Sequence, residues 1–279
     1  IYTGKFFPNG NTFQSACDSR SFFLTQVLTA ARSGKKTVVI HLSDFSEEAL
    51  RQTADFVVEA YRAVRELRKE LTGQDTPEVG IRLVLENYEL KDQRKLFPTA
   101  REFMNAWEMA GEHLAGRAYH GDPDAHNALK YMFALLFDSA HYNLSNREDP
   151  LYSAWVVGRR LQKFARRHRR LGIDYRDLLG ELHLNQNIGL IGFSKDAGYY
   201  SADIHSNAST LGPIDNFAVI ALFYALGFEP YVTLEQMQEP NLQDMAMVAQ
   251  AMDLGNSLGV RWPRGLPRWR WVYVMVIFW

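Results

Sequence analysis

The sequence predicts an α/β fold of the (β/α)8 barrel type, and three observations carry that expectation. Short β-rich runs alternate with helical stretches along most of the 279 residues. The strands are mostly apolar throughout, as strands of a parallel sheet covered on both faces are. No strand is followed by G-x-G-x-x-G or by G-x-x-x-x-G-K-[ST], the Gly-rich turns by which an open doubly wound nucleotide fold announces itself. One barrel commonly takes about 250 residues, so the length does not call for a second domain.

The elements follow in order. "IYTGKFF" opens the chain as a strand, and "KTVVIHL" (36–42) is the next. "SEEALRQTADFVVEAYRAVRELRKEL" (46–71) reads as a long helix, because Leu50, Ala54, Val57, Tyr61, Val64, Leu67 and Leu71 recur at steps of three and four. Ser46 serves as its cap, with Glu47 and Glu48 in the first turn. A strand at 79–87 precedes a helix near 99–114, and a strand at 131–138 precedes one near 151–169. "DLLGELHLN" (177–185) is a strand, followed by a long Gly- and Ser-bearing loop to about 213. A helix from Asp215 to Leu226 stops at Gly227. "EPYVTLE" (229–235) is the last clear strand, before a helix at 241–254.

Composition narrows the function. The formal net charge is −1, so no overall field favours nucleic acid or an anionic membrane. Cys17 is the only cysteine, which excludes an intramolecular disulfide and fits a reducing, cytoplasmic setting. No apolar run reaches the roughly 20 residues of a spanning helix. Residues 1–259 are read as one barrel domain. Residues 260–279, "VRWPRGLPRWRWVYVMVIFW", form an atypical Trp- and Arg-rich, then apolar, tail expected to pack outside the barrel.

The chemistry lies where the strands end. "VVIH" reaches His41, "RLVLE" Glu86, "ALLFD" Asp138, "LGELH" His183 and "YVTLE" Glu235. In a barrel such ends converge on the mouth that carries the active site. Any one strand-end acid is commonly a helix cap or an ion-pair partner. Five at equivalent positions, with no cysteine among them, make the ligand set of Mn²⁺, Co²⁺, Mg²⁺ or Zn²⁺. "FDSAH" adds His141, and "DIH" adds Asp203 and His205. His113, His120, His126 and His168 lie elsewhere and are expected to be solvated.

Taken in order, "VVIHLSD", "VLEN", "FDSAH", "HLNQN", "DIHSNASTLGPID" and "YVTLE" resemble the xylose-isomerase-like TIM barrels. That superfamily includes sugar phosphate isomerases and epimerases and endonuclease IV. The resemblance spans about residues 1–255 and implies a barrel whose first βα units, about two, precede Ile1. It implies a divalent metal ion held by Glu86, Asp138, His183 and Glu235. His41, His141, Asp203 and His205 match positions that bind substrate or additional metal. Three features depart from the pattern. Thr3 or Gly4 stands where a first histidine is expected, Gln186 where an aspartate is usual, and the stretch from His183 to Asp203 is long.

The function implied is isomerisation or epimerisation of a small sugar or sugar phosphate. Glu86 and Glu235 are the catalytic pair, moving a proton beside a metal-polarised carbonyl. Lys195 is a candidate to reach a substrate oxygen. The partner is then a small carbohydrate, with no membrane, and a homo-oligomer is left open. The alternatives are an abasic-site DNA phosphodiesterase and a barrel without catalysis. Against the phosphodiesterase, the only basic cluster, "RRLQKFARRHRR" (159–170), falls on a helix expected to face solvent.

Overall fold

The computed structural model describes residues 2–6, 13–42, 44–87, 97–144, 148–187, 191–194, 198–201, 205–209, 214–234 and 241–260. Its principal elements are β1 (Tyr2–Phe6), α1 (Phe13–Arg32), β2 (Thr37–Leu42), α2 (Glu47–Thr72), β3 (Arg82–Asn87), α3 (Ala100–Tyr119), α4 (Pro123–Tyr131), β4 (Phe133–Asp138), α5 (Ser139–Leu144), α6 (Pro150–Arg167) and β5 (Leu179–Leu184). Four short strands follow: β6 (Gln186–Asn187), β7 (Ile191–Ser194), β8 (Gly198–Ser201) and β9 (His205–Ser206). The last three elements are α7 (Asn216–Ala225), β10 (Tyr231–Leu234) and α8 (Leu242–Val260).

The six longest-range strands form one parallel sheet in the order β1-β2-β3-β4-β5-β10. Each strand lies beside its predecessor, with no reversal of winding. That is the order of a barrel and not of a doubly wound sheet. Among the described residues β1 and β10 do not pair, so the six strands make an arc of the wall.

Strand parity separates two apolar layers. Val38, Ile40, Leu83, Leu85, Phe133, Leu135, Phe137 and Leu182 join the large core under the helices. Val39, Val84, Ala134 and Leu136 form a small second cluster on the inner face. Continuing that inner face toward the strand ends leads to His41 after Val39, Glu86 after Val84 and Asp138 after Leu136. Apolar packing fills the middle of the arc, and polar groups take over at its rim.

The helices line the outer face in sequence, with α1 on α2, α2 on α3, α3 on α6, α6 on α7 and α7 on α8. In α2 the stripe is buried from Leu50 to Leu67, but Leu71 is 64% exposed, because the helix outruns the sheet in its last turn. Ser46 caps α2 by accepting from Ala49 N. The anticipated single loop after β5 instead contains two small antiparallel pairs, β6 with β9 and β7 with β8. α4 and α5 are short helices that the apolar periodicity does not signal. Residues 261–279 of the tail lie outside the described residues.

Candidate metal centre

Glu86 is the hub of the rim. It is 2% exposed, and three imidazoles surround it. His41, its partner in the β2–β3 register, places Nε2 3.0 Å from Oε2. His141 Nδ1 lies 3.3 Å from Oε1, and His183 Nδ1 lies 3.7 Å from the same atom. Burial by itself would raise the Glu86 pKa. The hydrogen bond from His41 and the charges of His141, His183 and His41 outweigh it, and the carboxyl is held below its ordinary value. Crowded carboxylates without a cation are expected to drive a pKa upward. At Glu86 the opposite holds, because three imidazoles surround the carboxyl and favour its charged form.

Asp138 ends β4 and directly precedes α5, and it is fully buried. Its Oδ1 accepts the main-chain N–H of Ala140 at 2.7 Å and of His141 at 3.0 Å, as a helix cap does. Its Oδ2 faces Asn185 Nδ2 at 3.4 Å and His183 Nδ1 at 4.0 Å. The cap and the site are therefore built from the same side chain. The turn that Asp138 caps folds His141 back over Glu86, where the ring stacks on Phe97 with centroids 4.6 Å apart. His141 Nδ1 donates to Asn87 O at 2.9 Å, which in the neutral ring leaves the lone pair on Nε2.

His183 pairs with Asp138 in the β4–β5 register. Its Nε2 lies 3.4 Å from Glu181 Oε1, two residues earlier on the same inner face. Glu181 is 6% exposed and also accepts from Thr233 Oγ1 on β10. Burial opposes ionisation of Glu181, but bonds from His183, Thr233 and Thr37 lower its pKa. Sequence reading passes over Glu181; the signal for it is the alternation in "LGELHL", which places Glu181 and His183 on one face and Leu182 and Leu184 on the other.

Of the anticipated residues, His41, Glu86, Asp138, His141 and His183 come together. Glu235, Asp203 and Lys195 lie outside the described residues. His205 is placed in β9, with its side chain undescribed. Gln186, where an aspartate is usual, clamps the main chain of Ile214 from both ends of its amide and is committed to that loop.

Two features elsewhere bear on function. A cavity of about 360 Å³ lies at the opposite, N-terminal ends of the strands, lined in part by Lys36, Arg82, Arg176, Glu229 and Tyr231. Its guanidinium groups are engaged, Arg82 with Asp177 at 3.0 Å and Arg176 with Asp174, and the strand-end chemistry is not there. In the basic cluster, Arg160 pairs with Glu108 at 2.6 Å and Arg167 with Glu112 on neighbouring α3. His168, anticipated as solvated, is 4% exposed, with its ring against Phe164 and Nε2 3.1 Å from Glu112. It follows the last residue of α6, where the chain turns inward.

The donor set suits a divalent cation. Glu86, Asp138 and His141 each offer a ligand atom within 4.8 Å of the others. Glu86 Oε1 is buried and accepts no hydrogen bond among the described residues. Two carboxylates with imidazole match Mn²⁺, Co²⁺, Mg²⁺ or Zn²⁺.

No protein-family model matches the chain, and no curated protein matches it. Solved structures do. The chain is similar to a D-tagatose 3-epimerase-like protein, at 14% identity over 90% of this chain and 74% of the other, with a TM-score of 0.48. It is similar to a xylose isomerase-like TIM barrel protein from Mycobacterium smegmatis in complex with magnesium, at 14% identity over 89% and 70%, with a TM-score of 0.48. It is similar to mannonate dehydratase from Streptococcus suis serotype 2, at 9% identity over 94% and 78%, with a TM-score of 0.47. Xylose isomerase-like barrels are also what the ordered motifs resemble. At such identities and scores the likeness carries no functional argument, which rests on the site.

Proposed function

We propose that this chain is a divalent-metal-dependent isomerase or epimerase acting on a small sugar or sugar phosphate. One observation carries the reading. A buried carboxylate, Glu86, sits within 3.7 Å of three imidazoles, beside Asp138, at the C-terminal rim of a parallel arc. A purely structural rim would not gather five titratable side chains where each costs desolvation.

Glu86, Asp138, His183 and Glu235 would hold the ion, with His141 close enough to join them. When bound, the ion supplies positive charge that polarises a carbonyl oxygen and stabilises the negative charge developing beside it. Glu86 is ionised at neutral pH and takes the proton from the carbon next to that carbonyl. His41 is bonded to Oε2, so Oε1 is the Glu86 oxygen that accepts no hydrogen bond among the described residues. Glu235 returns a proton from the other face. His141, held by Phe97 and Asn87, accepts from a substrate hydroxyl through Nε2.

The abasic-site phosphodiesterase has less support, because Arg160 and Arg167 of the basic cluster are already paired with acids of α3. Metal analysis combined with a panel of aldoses and ketoses, assayed with Mn²⁺, Co²⁺ and Mg²⁺, tests the proposal. One ion per chain and turnover of one ketose or its phosphate are expected. Two or three ions with cleavage of abasic DNA would replace the reading with the phosphodiesterase, and a chain binding no metal would remove both.

A further inference from the structure

The His183 ring spans the space between two sets of carboxylates. Its Nδ1 lies 3.7 Å from Glu86 Oε1 and 4.0 Å from Asp138 Oδ2, while its Nε2 lies 3.4 Å from Glu181 Oε1. Glu181 stands apart from the close trio of Glu86, Asp138 and His141. It is buried all the same, and a packing role alone would be served by an apolar side chain at lower desolvation cost. Its Oε1 is gripped by Thr233 of β10 and its carboxylate by Thr37 of β2, so three strands fix its place. Its Oε2 has no hydrogen-bond partner among the described residues.

We propose that Glu181 is a positioning residue: it accepts a hydrogen bond from the Nε2–H of His183, so that Nδ1 presents its lone pair between Glu86 and Asp138. An imidazole that donates one N–H to a carboxylate is fixed in tautomer and orientation, and its other nitrogen becomes the more basic ligand. The register provides the spacing. Glu181 pairs with Leu136 and His183 with Asp138, so both project inward one pleat apart, with the carboxylate below the ring and the ligands above it. Thr233, opposite His183 in the β5–β10 register, closes the arrangement from the adjoining strand.

This inference rests on the metal-dependent reading above, and one titration separates the two. Metal-depleted wild type, Glu181→Gln, Thr233→Val and Asp138→Asn are titrated with Co²⁺ and followed by its visible absorption, after far-UV spectra and melting curves confirm folding. Glu181→Gln is expected to bind Co²⁺ about 10- to 100-fold more weakly than wild type. Thr233→Val should shift affinity in the same direction by less. In the Zn²⁺-loaded wild type, the His183 Nε2–H proton should be visible in a ¹⁵N-resolved imidazole spectrum and should be lost or broadened in Glu181→Gln. Wild-type affinity in a folded Glu181→Gln would overturn the role of Glu181 while leaving the metal site standing. Failure of wild type itself to bind Co²⁺ would overturn the proposed function, and this inference with it.

Discussion

One carboxylate oxygen of Asp138 accepts the main-chain N–H of His141 at 3.0 Å, while the other faces His183 Nδ1 at 4.0 Å. The Asp-x-x-His spacing is therefore a helix cap and a site at once, and substitution can separate the two. Asp138→Asn keeps a cap acceptor but removes a charged ligand, whereas Asp138→Ala removes both. In the metal-free state Asp138→Ala should be less stable than Asp138→Asn by about 1 kcal/mol. In wild type, metal at a hundredfold excess over Kd should stabilise the fold by about 2.7 kcal/mol, and EDTA should reverse it. Both variants should lose most of that response. His168→Ala should keep the response but start from a lower melting temperature, since it removes a buried ring. Identical melting of wild type with and without EDTA would reduce "FDSAH" to a turn.

Glu86 sits at the centre of the imidazoles, and its replacement tests the proton-transfer role directly. Glu86→Gln preserves shape and the contact with His41 while removing the base. Its kcat at saturating metal should fall by about 10²- to 10⁴-fold. A variant within tenfold of wild type would exclude Glu86 as the group that takes the proton.

Gly180 lies at an irregularity in the β4–β5 register, between the pairs Leu135↔Leu179 and Leu136↔Glu181. A Cβ there would fall 2.6 Å from Val84 Cγ1 and 3.3 Å from Ala134 Cβ on the inner face. Gly180→Ala should cost about 1–3 kcal/mol in urea unfolding through overpacking. Val84→Ala opens the same space, so the double variant should cost less than the two single changes added together. Strict additivity would mean that the contact does not limit the site.

Asp122 caps α4 and meets Arg117 at 2.6 Å. Burial works against its ionisation, but the N–H of Ala125, the Arg117 guanidinium and the N–H of Asp124 outweigh burial and lower its pKa. A depressed folded pKa gives stability that is full above the unfolded value, about 3.9, and lost as pH falls through the folded value. Asp122→Asn keeps a cap acceptor without a charge. Wild type should therefore lose more stability than the variant between pH 5 and pH 2.5 in urea titrations. Parallel losses would show that Asp122 contributes no such acid sensitivity.

Residue order alone specified a good deal of this protein. Alternation of apolar strands and amphipathic helices determined the parallel α/β arrangement, because strands apolar throughout must be covered on both faces while each helix buries one stripe. The residues at the strand ends named His41, Glu86, Asp138 and His183, because a polar group at the tip of an apolar run stands out against its neighbours. His141 was named by its spacing from Asp138. Tertiary structure decided what those residues do to one another. No local pattern announces that His141 turns back over Glu86, since that depends on a cap formed after β4 ends. Nor does it announce that three imidazoles hold the Glu86 pKa down, since they arrive from β2, α5 and β5. Glu181 was hidden for a related reason: its part depends on Thr233 and Thr37, and their hydroxyls reach it only when the sheet curves.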